Sequence, residues 1–80
     1  MLSLEGTLIT DEGVRSLRRT HGLECLYLDN TAITDESVPY LAEMGGLWTL
    51  TITGTRISKP AAEKLAGALP NCMVLGPEEE

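Results

Sequence analysis

Eighty residues make one small domain, of the size that buries roughly 60% of the surface its unfolded chain exposes. A hydrophobic content of 42% excludes a disordered chain, and with no Phe, one Trp and two Tyr the core falls to Leu, Ile, Val, Ala and Met. The formal charge of −6, with a pI of about 4.6, argues against nucleic acid, which requires a positive face. No stretch approaches the ~20 apolar residues of a membrane span. The opening "MLSLEGTLIT" has neither the basic nor the apolar region of a signal peptide, so the expected setting is the cytoplasm.

In chain order, the first predicted element is a strand in which Leu2 and Leu4 alternate with Ser3 and Glu5. It leads into "LEGTLITDEGV" at 4–14. The same window recurs as "LDNTAITDESV" at 28–38 and "ITGTRISKPAA" at 52–62, each copy beginning 24 residues after the last. Copies one and two share seven of the eleven residues, and a fixed period of this length is the mark of a repeat architecture. Leu2, Leu26 and Leu50 fall in register, as do Leu4, Leu28 and Ile52, then Ile9, Ile33 and Ile57. Leu26 and Leu28 point to the core in the second strand, and Cys25, Tyr27 and Asp29 point away from it.

After each strand comes a threonine: Thr7, Thr31 and Thr55. A hydroxyl both donates and accepts, so this column of threonines is expected to form a ladder that satisfies the backbone of several turns. Helix starts follow. Thr10, Thr34 and Ser58 suit the N-cap, and Asp11, Glu12, Asp35 and Glu36 suit the positive end of a helix. Val14 with Leu17, Val38 with Leu41, and Ala62 with Leu65 keep the spacing of one apolar stripe against the sheet. Pro60 fits a first turn. Pro39 predicts a second helix that is short or irregular at its start. Gly22 and Gly45-Gly46 end the helices. Arg15, Arg18 and Arg19 share one helical face, read as a solvated face near a helix end.

The pattern L-x-x-L-x-L-x-x-T-x-I, as in "LECLYLDNTAI" and "LWTLTITGTRI", resembles the leucine-rich repeat, in a subtype with Thr where most members carry Asn or Cys. The continuations "ITDEGV" and "ITDESV" are similar to the helical version found in F-box-associated and many bacterial repeat proteins, and "LPNC" to the closing stretch of such arrays. The resemblance covers residues 2 to about 75. It implies an α/β fold: a leucine-rich repeat solenoid with a short parallel β-sheet on its concave face and α-helices on its convex face. The expected domain is 1–75, with units 1–22, 23–46 and 47–70 and a partial closing strand at 72–75, followed by an acidic tail at 76–80.

Little in the sequence points to catalysis. A triad of Ser or Thr, an acid and His21 is tempting, but the acids and threonines already recur with the period, and His21 sits beside Gly22 at a predicted helix end. The glycines fall mostly at turns and form no phosphate loop. One His and two separated Cys do not make a zinc site. No catalytic, cofactor-binding or metal-binding residue is therefore assigned. Cys25 and Cys72 lie about two strands apart, roughly 10 Å at ~4.8 Å per strand, beyond the ~7 Å that a disulfide spans. Cys72 is expected near the inward position of the strand "CMVL", packed in the core.

What remains is surface. The expected partner-binding residues of the concave face are Cys25, Tyr27, Asp29, Trp48, Thr49, Thr51, Thr53 and Met73, flanked by Ser3, Glu5 and Leu75. Tyr27 is the candidate anchor. Trp48, at the entry to the third strand, either covers neighbouring copies or serves the interface. The first strand has no polar cap before it, whereas Gly76-Pro77 and the terminal glutamates blunt the far edge. The resemblance and the variable outward residues imply a non-catalytic module that binds a protein partner of unknown identity. The alternative is a structural protein that oligomerises through its uncapped N-terminal strand, or the closing part of a longer array.

Overall fold

The computed structural model describes residues 2–20 and 22–76. Along the chain come β1 (Leu2–Ser3), α1 (Asp11–Leu17) and β2 (Cys25–Tyr27), then a 3₁₀ turn (Asp35–Ser37) that runs into α2 (Val38–Ala42). They are followed by β3 (Thr49–Thr51), α3 (Lys59–Ala68) and β4 (Met73–Leu75). His21 and the glutamates of the expected tail lie outside the described residues. The result is a small α/β fold with a four-stranded parallel sheet in the order β1-β2-β3-β4. Parallel neighbours need a crossover between them, and a helical segment supplies each one up to β4.

The sequence period is the register of the sheet. Leu2 pairs with Leu26, Leu26 with Leu50 and Leu50 with Val74, each 24 residues on. Leu26, Leu28, Leu50 and Ile52 are fully buried on one face. Against them pack Val14 of α1, Leu41 of α2 and Leu65 of α3, also with no exposure, so the helices cover that face alone. The first copy is less well covered: Leu2, Leu4, Ile9 and Leu17 are only partly buried, because nothing among the described residues packs on their outer side.

Local chemistry explains the element lengths. Pro39 stands in the first turn of α2, and the segment begins as the 3₁₀ turn, so this helix has five residues where α3 has ten. The N-cap expectation holds at two of the three sites. Thr34 Oγ1 accepts from the N–H of Glu36 at 3.2 Å, and Ser58 Oγ accepts from the N–H of Ala61 at 3.3 Å. Thr10 has the extended backbone of an N-cap and no side-chain cap bond.

The threonine column works differently from the ladder expected. Thr7, Thr31 and Thr55 each donate to the carbonyl oxygen three residues back, that of Leu4, Leu28 and Ile52, at 2.7, 2.8 and 2.7 Å. Each hydroxyl closes its own turn, and among the described residues none of the three bonds to another. The hydroxyls of Thr7 and Thr55 also accept the N–H two residues on, that of Ile9 at 3.4 Å and of Ile57 at 3.3 Å. Just before each threonine the chain takes a left-handed conformation, at Gly6 (φ 68°), Asn30 (φ 59°) and Gly54 (φ 77°).

Gly54 is the most constrained of these, because a Cβ there would run into the side chain of Asn30. Gly54→Ala is expected to cost about 1–2 kcal/mol from the left-handed backbone alone, more with the clash. A urea titration checks this: the midpoint should fall while the slope stays the same.

Candidate functional site

Strand alternation sends Cys25 and Tyr27 to the face of the sheet opposite the helices, where both are half-buried. The parallel register aligns Cys25 with Thr49 and Met73, and Ser3 with Tyr27, Thr51 and Leu75. Of the expected contact residues, Cys25, Tyr27, Thr49, Thr51 and Met73 align on this face, Trp48 lies one residue before β3, and Asp29 and Thr53 lie two residues beyond β2 and β3; by exposure they divide into two groups.

One group is already engaged inside the molecule. Thr51 is 8% exposed, since its short side chain lies in the row between Tyr27 and Leu75. Its hydroxyl donates to Asp29 Oδ2 at 2.7 Å, while Asp29 Oδ1 accepts the N–H of Thr53 at 2.7 Å. Both oxygens of Asp29 therefore tie the second copy to the third. The sequence predicts partner contacts at Asp29 and Thr51; in the structure both are engaged in this joint between copies. Thr53 is half-buried, and its hydroxyl lies 3.5 Å from the carbonyl oxygen of Gly76.

The other group is open. Trp48 is 69% exposed, Met73 62% and Leu75 50%. Trp48 is fixed through its backbone, with its N–H on the carbonyl of Glu24 at 2.6 Å and its own carbonyl accepting from Met73 N–H at 2.8 Å. At that exposure most of the indole stands clear of the neighbouring copies. Tyr27 and Thr49 are half-buried, Thr49 in register with Met73.

Cys25 and Cys72 are free thiols, as their estimated spacing required. Cys72 lies one residue before β4, and the inward position of that strand belongs to Val74, the partner of Leu50. Cys72 still packs against the core. Burial, and secondarily the nearby Cys25, push its thiol above the ordinary range. The arginines are only partly a solvated face. Arg15 and Arg19 are exposed, but Arg18 reaches α2, 3.5 Å from Glu43 Oε2 and 5.6 Å over the ring of Tyr40.

A further network went unread in the sequence. Asp11 accepts the N–H of Thr34 at 2.8 Å, the hydroxyl of Thr34 at 2.7 Å and the hydroxyl of the fully buried Ser37. Asp35 repeats the joint one copy on, accepting the N–H and hydroxyl of Ser58 at 2.7 and 2.9 Å. Burial alone would raise the Asp11 carboxyl. The bonds from Ser37 and Thr34 outweigh it and hold the group below the usual aspartate value. The available signal was that Thr-Asp recurs at the period and stops at Lys59.

Among the described residues no group of His, Cys, Asp and Glu is placed to hold a metal ion, and no helix is long and apolar enough to cross a membrane. No family model, curated protein or solved structure matches the chain.

Proposed function

We propose that the chain is a short solenoid of the leucine-rich-repeat kind, acting in the cytoplasm as a non-catalytic module that binds a protein partner on the open face of its sheet. One observation carries this reading. Met73 and Leu75 stand exposed on the open face of β4, and Trp48 stands exposed at the entry to β3, where its carbonyl accepts the Met73 N–H. Large apolar side chains left in solvent at the entry to β3 and along β4 favour a contact site over a solvated face. An indole and a flexible thioether supply large contact area with adaptable packing. The sheet register at the sequence period and the Thr-closed turns support the solenoid. The two free thiols suit a reducing compartment.

The experiment is affinity capture from the source cell, followed by titration of the captured protein. Trp48→Ala combined with Met73→Ala should weaken binding by about 30-fold or more, the effect of losing ~2 kcal/mol at a central contact. The side chains removed are mostly exposed, so the circular dichroism and melting of the free protein should not change. Unaltered affinity with the fold intact would rule this face out.

A further inference from the structure

The joint between copies is made twice with the same parts. An aspartate at the start of one helical segment takes both the N–H and the hydroxyl of the residue 24 positions after its own predecessor: Asp11 with Thr34, Asp35 with Ser58. Thr10 is the first member of the series Thr10, Thr34, Ser58. Its backbone is extended (φ −119°, ψ 177°), close to that of Thr34 (φ −124°, ψ −172°). Its N–H and hydroxyl have no acceptor among the described residues.

Thr10 holds in the first copy the place that Thr34 and Ser58 hold in theirs, but its side of the copy is uncovered among the described residues. Among the described residues the outer edge of β1 has no pairing strand, while its inner edge bonds to β2. Leu2, Leu4, Ile9 and Leu17 are half-buried, where their counterparts Leu26, Leu28, Ile33 and Leu41 in the next copy are fully buried. Leu8, on the same turn, is 95% exposed.

We infer that the outer face of the first copy is a docking surface for one further strand–turn–helix segment of the same kind, in parallel register with β1 and bringing an aspartate to Thr10. The argument is continuity: the face extends an interface that the chain already builds twice, and its donor pair calls for a carboxylate. A second copy of this chain is the wrong occupant, because the segment at its far end has Lys59 where the series Asp11, Asp35 would need an acid. Docking of this segment leaves the Trp48 strip open and does not depend on it.

Hydrogen exchange and a tandem chain test the inference. In the protein as it stands, the Thr10 amide should exchange freely while those of Thr34 and Ser58 are protected. Placing a copy of residues 25–48 directly before Met1 keeps the period of 24 and sets the copied Asp35 opposite Thr10. In that tandem the Thr10 amide should become protected and the melting temperature should rise. Changing the copied Asp35 to Ala, or Thr10→Val, should each lower the tandem's melting temperature by about 4–8 °C. The two together should cost no more than the aspartate change alone, because Thr10→Val removes only the hydroxyl's share of the same joint. An unprotected Thr10 amide in the tandem, or fully additive losses, would overturn the inference. Light scattering of the parent chain across a wide concentration range should show a monomer. A dimer that Thr10→Val dissolves would assign the face to a second copy and overturn the choice of occupant.

Discussion

Leu50→Ala is expected to bring the domain to the edge of unfolding at 25 °C. Leu50 has no solvent exposure and lies in the third strand between Leu26 and Val74, facing the helices. Removing such a side chain costs its transfer energy and leaves a cavity, together about 3–5 kcal/mol. A chain of this length has a total stability of about 4–12 kcal/mol. The informative comparison runs along the column. Leu26→Ala should cost as much, and Leu2→Ala less than half, because Leu2 is already partly exposed at the open side of the first copy. Urea titrations followed by far-ultraviolet circular dichroism measure all three. Trp48 fluorescence would be a poor probe, since the indole is 69% exposed before unfolding. Equal losses at Leu2 and Leu50 would contradict the description of where the core sits.

The next largest effect is expected from Asp11→Ala. The change removes an acceptor from three donors, one of them the hydroxyl of Ser37, which has no exposure and would stay buried without a partner. That orphaned group alone costs about 1–3 kcal/mol. Adding Ser37→Ala to the first substitution should recover part of the loss, because the buried hydroxyl goes with it.

The same carboxylate also makes stability depend on pH. Its pKa in the folded protein is lowered from 3.8, so the unfolded chain takes up the proton first as the solution is acidified. The contribution of Asp11 is therefore complete above the unfolded value and fades as pH falls through the folded one. Urea midpoints measured from pH 6 downward should drop more steeply below about pH 4 in the parent than in Asp11→Ala. Parallel curves for the two proteins would remove Asp11 from the account.

Much of the fold was legible in the sequence because its cause is local or periodic. The spacing of 24 between Leu2, Leu26 and Leu50 became the register of the parallel sheet. The three-residue spacing of Val14 with Leu17, Val38 with Leu41 and Ala62 with Leu65 marked the helix faces, and Val14, Leu41 and Leu65 are fully buried. Pro39 marked the irregular entry to α2, since a fixed φ and a missing N–H act wherever the residue stands.

The polar partners were not legible in the same way. Thr31 looked like one rung of a column, yet its hydroxyl reaches the carbonyl of Leu28 in its own turn before any neighbour comes within range. Asp11 and Asp35 looked like ordinary first-turn acids. Their partners, Thr34, Ser37 and Ser58, are more than twenty residues away and become neighbours only when the copies stack. The open face shows the same limit: alternation along a strand tells which side a residue takes, but the size of its neighbours across the sheet decides what stays in solvent. That is why Thr51 is covered and Trp48 is not. The amino-acid order by itself determined the period, the faces and the helix starts, because these rest on backbone geometry within a few residues. Only the tertiary structure decided which hydroxyls and carboxylates are spent on joining the copies and which apolar side chains remain exposed, because both depend on what packing brings alongside.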